Sequence, residues 1–258
     1  MEIIDFHTHP FVNVNSNICA HKEYFEMTPD NAVEYLKKIG ITKICGSIVY
    51  LSTTLDEKFD DIIERNNHSL ELREKYGDFY VPGMNIHPDY VKESLQEIER
   101  MHNHGINLIG ELVPYLDKWT GQYDSDGLFE ILELADHYNM VVSVHTMFEE
   151  SMDKMIERFK NITFVGAHPD ELAQYKRHIE RMKKYDNYYL DLSGTGLFRH
   201  GMLMRGIKEV GVDRILFGTD FPTCNPSMFV GGVVLEPLLS DGEKEAILSK
   251  NAKRILGL

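Results

Sequence analysis

Short runs of apolar and β-branched residues recur along the whole chain, about one for every 30 residues. Each run has the length and composition of a buried β-strand. Most of them are apolar nearly throughout, which is typical of parallel strands that are covered on both faces. The pattern predicts eight strands, at residues 2–7, 43–50, 79–86, 106–111, 140–145, 162–168, 187–193 and 214–220.

Amphipathic helices are predicted between these strands. One helix is opened by Pro29 and ended by Gly40, because proline is favoured in the first turn of a helix and glycine just after its end. A second helix is predicted over residues 56–76. Ser240 and Glu243 form a capping box, which predicts the start of the last helix.

Eight alternating strand and helix units predict an α/β protein with a single domain, residues 1–258, folded as a (β/α)8 TIM barrel. A doubly wound sheet is the alternative, and the even spacing of the strands favours the closed barrel. The sequence shows no repeat, low-complexity segment or linker. The polar stretch 11–27 is predicted to be a long loop that forms a lid or rim above the first strand.

Side chains that bind metals stand at the predicted C-terminal ends of the strands, where barrel enzymes carry their chemistry. Strand 1 ends in His7 and His9, which lie two residues apart and therefore share one face of the strand. An isolated pair of this kind is more often two ordinary histidines, but five further strands also end in such residues. These are His87, Glu111, His145, His168 and Asp220. Imidazoles together with carboxylates predict zinc or another divalent first-row ion, since magnesium and calcium prefer oxygen ligands.

The composition restricts the partners of the chain. Its 258 residues are 43% hydrophobic, which is sufficient for a large core, and its net charge of −14 argues against nucleic acid or an anionic membrane as a partner. The three cysteines are widely spaced and indicate neither a disulfide framework nor a zinc ribbon. No signal peptide or long apolar run is present, so we expect a cytoplasmic protein. A homodimer is compatible with the sequence.

Four segments resemble the amidohydrolase superfamily, and within it the amidohydrolase-related (amidohydrolase 2) group. They are residues 7–9 (HTH), 189–194 (YLDLSG), 215–222 (ILFGTDFP) and 251–258 (NAKRILGL), and the resemblance covers essentially the whole chain. It implies a metal-dependent TIM-barrel enzyme. By position, the implied metal ligands are His7, His9, His145 and Asp220, and His168 binds a second ion or orients the attacking water.

Two other features resemble the TatD-type and phosphotriesterase-like relatives, in which a glutamate on strand 4 can bridge two metal ions. They are His87, followed by proline, and Glu111, preceded by glycine. The sequence therefore leaves one or two ions per chain open. With two ions, Glu111 lies between them; with one ion, His145 joins the strand 1 pair and His168 becomes an acid–base or orienting group.

The resemblance implies hydrolysis of a small ester, lactone, amide or phosphoester by hydroxide formed at zinc, with manganese as the alternative ion. Asp220 and His168 are the predicted catalytic residues, and Asp220 moves the proton of the water to the leaving group. The alternative within the same group is a mononuclear, metal-dependent, non-oxidative decarboxylase of an aromatic or unsaturated carboxylic acid. The net charge disfavours a TatD-like nuclease, and the intact set of ligands disfavours a barrel without turnover.

The substrate is expected to be a small molecule. Three residues near the strand ends are predicted to contact it: His87, Tyr115 and Arg199.

Overall fold

Eight parallel strands form one sheet in chain order in the computed structural model, which describes residues 1–51 and 58–258. Each strand pairs with the next along the chain. The strands are β1 (Ile4–Asp5), β2 (Lys43–Gly46), β3 (Tyr80–Met84), β4 (Leu108–Leu112), β5 (Val141–His145), β6 (Thr163–Ala167), β7 (Tyr188–Asp191) and β8 (Ile215–Leu216).

Backbone hydrogen bonds between the two ends of the sheet close it into a barrel. The N–H of Phe6 donates to the carbonyl oxygen of Phe217 at 2.8 Å, and the N–H of Asp220 donates to the carbonyl oxygen of His7 at 2.8 Å. The predicted (β/α)8 barrel is therefore confirmed. Its C-terminal rim gathers the residues that directly follow each strand.

Helices follow every strand and cover the outside of the barrel. They are α1 (Pro29–Lys38), α2 (Phe59–Tyr76), α3 (Val91–Asn103), α4 (Asp126–His137), α5 (Glu149–Arg158), α6 (Leu172–Lys184), α7 (Met202–Val210), α8 (Pro226–Val234), α9 (Asp241–Glu245) and α10 (Asn251–Leu256), with a π-helical turn at Ala246–Lys250 between the last two. The side chains of these helices that face the strands, such as Leu36, Ile98 and Ile131, are almost fully buried.

The helix boundaries follow the caps predicted from the sequence. The hydroxyl of Thr28 accepts a hydrogen bond from the N–H of Asn31, and Gly40 follows α1 with a φ of 96°, a conformation that favours glycine. The capping box of Ser240 and Glu243 is present at the start of α9. The predicted helix 56–76 corresponds to α2, and its predicted start at residue 56 lies outside the described residues.

The first and last strands are shorter than predicted. Regular pairing is limited to Ile4–Asp5 and Ile215–Leu216, against the predicted spans 2–7 and 214–220. Beyond them, Thr8 and Phe221 form only an isolated bridge. Asp220 has a φ of 63°, which is incompatible with a β-strand, so the last strand could not extend to residue 220 as predicted.

The loop 11–27 contains a single turn of 310 helix, Lys22–Tyr24, and is otherwise irregular, as the polar sequence predicts. Among residues 1–51 and 58–258, no helix combines the length and the apolar character that crossing a bilayer requires.

Acid is expected to destabilise the barrel through His178 on α6. The side chain is fully buried and bonded to the hydroxyl of Tyr188, with 2.8 Å between Nδ1 and the oxygen. Burial, together with the charge of Arg181, lowers the pKa of His178 to about 3. Because the unfolded chain then binds the proton more tightly, the free energy of unfolding falls as the pH drops below about 6.5, by about 1.4 kcal/mol per unit.

Urea unfolding of the wild type and of His178→Gln at pH 6.5 and pH 5 measures this contribution. We expect the wild type to lose about 2 kcal/mol more than the variant over this interval. His104→Gln, at an exposed position, should lose as much as the wild type. Equal losses in the wild type and in His178→Gln would show that His178 takes up no extra proton on unfolding.

Candidate metal centre

Six side chains at the C-terminal rim form one polar cluster. They come from five strand ends and are His7 and His9 after β1, Glu111 on β4, His145 at the end of β5, His168 after β6 and Asp220 after β8. The Nε2 atoms of His7 and His9 lie 3.3 Å apart. The barrel therefore brings together all six metal ligands that the sequence predicts.

Four of these residues present ligand atoms at the spacing of a metal site. Oε2 of Glu111 lies 3.3 Å from Nε2 of His7 and 3.4 Å from Nε2 of His9. Oδ1 of Asp220 lies 3.4 Å from Nε2 of His9 and 3.9 Å from Nε2 of His7. A tetrahedral ion with bonds of about 2.0–2.1 Å separates its ligand atoms by about 3.3 Å. The donor set thus fits a divalent first-row ion.

The charges of the cluster also suit a cation. Burial alone would raise the pKa of the Glu111 carboxyl, but the adjacent imidazoles hold it well below its usual range. Burial lowers the pKa of His9, yet hydrogen bonds to Asp220 and Glu111 more than offset this and raise it to about 9. The carboxylates therefore attract positive charge, either as protons on the imidazoles or as a metal ion that displaces those protons.

The ligand atoms form two overlapping groups among the described residues, and both include His7. One group is His7, His9 and Asp220; the other is His7, Glu111 and His168. Nδ1 of His7 lies 2.9 Å from Oδ2 of Asp191, which leaves only Nε2 for an ion. A single nitrogen binds a single ion, so the two groups cannot each hold an ion through His7.

His145 lies beside the cluster but belongs to neither group. Its Nδ1 donates a hydrogen bond to Oε1 of Glu111 at 2.9 Å, and the same oxygen lies 3.6 Å from Nε2 of His168. The two oxygens of Glu111 therefore face different histidines, Oε2 the strand 1 pair and Oε1 the side chains of β5 and β6.

Two of the site residues have backbone conformations that sequence patterns do not indicate. His168 and Asp220 have φ angles of 67° and 63°, in the left-handed region that side chains seldom adopt. Such conformations are costly and concentrate at functional sites. They turn both side chains from the strand direction towards the centre.

Several residues that the sequence did not single out as site residues hold the histidines in place. Nδ1 of His9 donates to the carbonyl oxygen of Ser47 at 3.2 Å, so its Nε2 faces the centre. Asp191 and Ser193 at the end of β7 contact His7 and His168. Both stand in the segment 189–194 and lie two residues apart at a strand end, a pattern that could have identified them.

Asp5 lies on β1, two residues before His7, and is fully buried. Its carboxylate accepts hydrogen bonds from the N–H and the hydroxyl of Thr219, at 3.0 and 2.6 Å. This contact ties β1 to the segment that carries Asp220.

The three predicted substrate contacts occupy different places. His87 is buried outside the cluster: its Nε2 donates to the carbonyl oxygen of Asp117 at 2.8 Å, and its Nδ1 accepts from the N–H of Asp89 at 3.2 Å. Tyr115 is exposed, and its ring lies 5.3 Å from the ring of His145. Arg199 is half-exposed and paired with Glu171.

Comparison with protein families gives one match. The family model described as amidohydrolase matches residues 4–258. Among curated proteins, none matches the sequence.

Solved structures share the fold at low sequence identity. A 2,6-dihydroxybenzoate decarboxylase from Rhizobium is 15% identical, with a TM-score of 0.74 and coverage of 100% of this chain and 99% of the other. An uncharacterized TIM-barrel protein from Bordetella bronchiseptica is 20% identical, with a TM-score of 0.75 and the same coverage. A dihydroxybenzoic acid decarboxylase from Polaromonas, with bound manganese and the inhibitor 2-nitroresorcinol, is 14% identical, with a TM-score of 0.72 and coverage of 100% and 96%. These likenesses establish the fold.

Proposed function

The chain belongs to the amidohydrolase family, and from this premise we propose that it is a metal-dependent, non-oxidative decarboxylase of a small aromatic carboxylic acid. The proposal assigns one divalent ion to each chain, held by His7, His9 and Asp220. The carboxylate of Glu111 lies beside these ligands and balances the charge of the ion. It places the sequence-based alternative ahead of hydrolysis, which was the first expectation.

One observation carries this proposal: both groups of possible ligands among the described residues include His7, which has only one nitrogen to offer. Neither group combines Glu111 with both His145 and His168, as a second ion bridged by Glu111 would require. This geometry favours a single ion, and a single ion is what the decarboxylase alternative requires. Two of the solved structures with the same fold are decarboxylases of dihydroxybenzoates, which supports the same choice.

The residues of the chain supply positioning and a proton. A divalent ion held by His7, His9 and Asp220 would supply a Lewis acid for the substrate carboxylate. In the reaction the bond between the ring carbon and the carboxylate breaks, its electron pair stays on the ring carbon, and carbon dioxide leaves. His168 directs Nε2 at the cluster, and in its doubly protonated form it delivers the Nε2 proton to that carbon. It keeps the hydrogen on Nδ1 and regains the Nε2 proton from solvent. Tyr115 lies beside His145 at the C-terminal rim of the barrel, and it packs against the aromatic ring of the substrate.

We propose zinc or manganese as the ion, because mixed imidazole and carboxylate ligands suit both. The Polaromonas decarboxylase contains manganese. His87 and Arg199 are the weaker candidates for substrate contact, because the backbone occupies both nitrogens of His87 and Glu171 pairs with Arg199.

A panel of hydroxybenzoic acids, assayed for release of carbon dioxide, tests the proposal. We expect turnover of at least one member, its loss after treatment with a chelator, and its recovery on addition of zinc or manganese. Esters, lactones and phosphoesters form the parallel panel. If any of these compounds is hydrolysed and no acid releases carbon dioxide, the protein is a hydrolase and the proposed decarboxylase function is wrong.

Hydrolysis is the second candidate because the two oxygens of Glu111 face opposite sides of the cluster. Oε2 lies near His7 and His9, whereas Oε1 lies near His145 and His168. A carboxylate in this position bridges two ions in binuclear hydrolases. A small-molecule substrate, the absence of a nucleic-acid or membrane partner, a homodimer and a cytoplasmic location stay predictions.

A further inference from the structure

Two residues at the end of β7 connect two histidines of the cluster. Ser193 and Asp191 are both fully buried. The hydroxyl oxygen of Ser193 lies 3.0 Å from Nδ1 of His168 and 3.1 Å from Nδ1 of His7, and it also contacts Oδ1 of Asp191. Oδ2 of Asp191 lies 2.9 Å from Nδ1 of His7. One buried carboxylate thus reaches both rings, one directly and one through a hydroxyl.

The number of hydrogen atoms available in this group decides which atom donates in each hydrogen bond. A serine hydroxyl has one hydrogen to donate and two lone pairs that accept. The carboxylate of Asp191 can only accept, so the hydroxyl hydrogen points to Oδ1; otherwise two acceptors would face each other. The one hydrogen on Nδ1 of His7 is donated to Oδ2 of Asp191, at 2.9 Å. The Ser193 oxygen therefore has a lone pair for Nδ1 of His168, which must carry a hydrogen to donate to it.

We propose that Ser193, oriented by Asp191, is a positioning residue that keeps the hydrogen of His168 on Nδ1 and leaves Nε2 as the nitrogen that faces the centre. This inference rests on the proposed function, in which Nε2 of His168 is the atom that gives a proton to the substrate. Asp191 fixes His7 in the same tautomer directly, so that its Nε2 is free for the ion.

The packing around His168 supports a fixed ring. Gly194, with a φ of 61°, lies so close that a Cβ there would stand 2.3 Å from Nδ1 of His168. The rings of His7 and His145 lie 5.2 and 5.0 Å from the ring of His168 on other sides. A rotated ring would therefore clash with these neighbours. Since the ring is held in place, Nε2 stays directed at the centre, and only the tautomer decides whether it carries a hydrogen.

Nitrogen-15 NMR of labelled histidines, with zinc and without it, reads the tautomer directly. We expect His168 of the wild type to show the pattern of a hydrogen on Nδ1, and its signals are assigned by their loss in His168→Gln. In Ser193→Ala the acceptor is gone, and the hydrogen of His168 should move to Nε2. Ser193→Thr keeps the hydroxyl and should restore the wild-type pattern.

Activity gives a second readout on the same variants. We expect kcat of Ser193→Ala to fall by about 10- to 100-fold with KM little changed, and Ser193→Thr to recover most of it. A wild-type His168 with its hydrogen on Nε2, or an unchanged pattern in Ser193→Ala, would overturn the proposal. The wild-type spectrum alone is decisive if Ser193→Ala does not fold. Spectra identical with and without zinc, but with the expected tautomer, would instead count against the metal centre.

Discussion

Replacing His9 by alanine is expected to weaken metal binding at the centre by at least about 100-fold and to reduce turnover at limiting metal in the same proportion. The loss should exceed the 10- to 100-fold that follows removal of groups which only orient ligands, because His9 offers a ligand atom itself. Its Nε2 lies 3.4 Å from both Glu111 and Asp220, and the carbonyl of Ser47 aims it at them. Titration of the metal-free protein with zinc or manganese measures the affinity.

The matched control is His104→Ala, which makes the same change at an exposed position between α3 and β4, at the N-terminal end of the barrel. Its affinity for metal and its activity should equal those of the wild type. Thermal unfolding of both variants separates loss of the site from loss of the fold. If His9→Ala bound metal as tightly as His104→Ala, the cluster at the rim would not be the metal site.

The fold was predictable because its signals are local and repeated. Each strand is a short apolar run. The helix caps that the sequence predicts depend on a few residues within one turn, as at Ser240 and Glu243. Parallel strands in a barrel all end at the same rim, so the position of a histidine at a strand end is enough to place it near the others. This is why His7, His9 and Asp220 could be grouped although they are far apart in the sequence.

The details of the centre depend on contacts that no local pattern encodes. The sequence places His145 at the end of β5, but whether its ring joins an ion or donates to Glu111 depends on side-chain geometry across two strands. The burial of His87 depends on the loop that carries Asp117, and loop conformations do not follow from strand periodicity. The left-handed backbone of His168 and Asp220 is uncommon for any residue other than glycine, and no pattern in the sequence indicates it.

The role of Asp191 and Ser193 lies between these cases. Both residues lie in the segment 189–194, which resembles the family, and their spacing repeats that of His7 and His9. The sequence does not indicate their role directly, because Asp191 and Ser193 contact the ligand side chains rather than the ion. The contact from β7 back to β1 also needs the closed barrel, which only the complete fold supplies.

Glu111→Gln is expected to leave one ion per chain but to weaken its binding by about 10- to 100-fold. The substitution removes a negative charge beside His7 and His9 and the acceptor that holds His145. Elemental analysis of protein purified without a chelator gives the stoichiometry, and metal titration gives the affinity. Glu130→Gln, at an exposed position on α4, is the control and should match the wild type in both measurements.

The number of ions per chain discriminates between the two candidate reactions, because the Glu111 carboxylate has a different role in each. With one ion, its carboxylate balances charge and orients His145, so the number of ions stays at one when the charge is removed. With two ions, its oxygens would each bind one, and the variant would fall from two ions to one. That second result would contradict the assignment of one ion per chain and make a bridged hydrolase the better description. His145 and His168 would then be ligands of the second ion, and Nε2 of His168 could no longer deliver a proton.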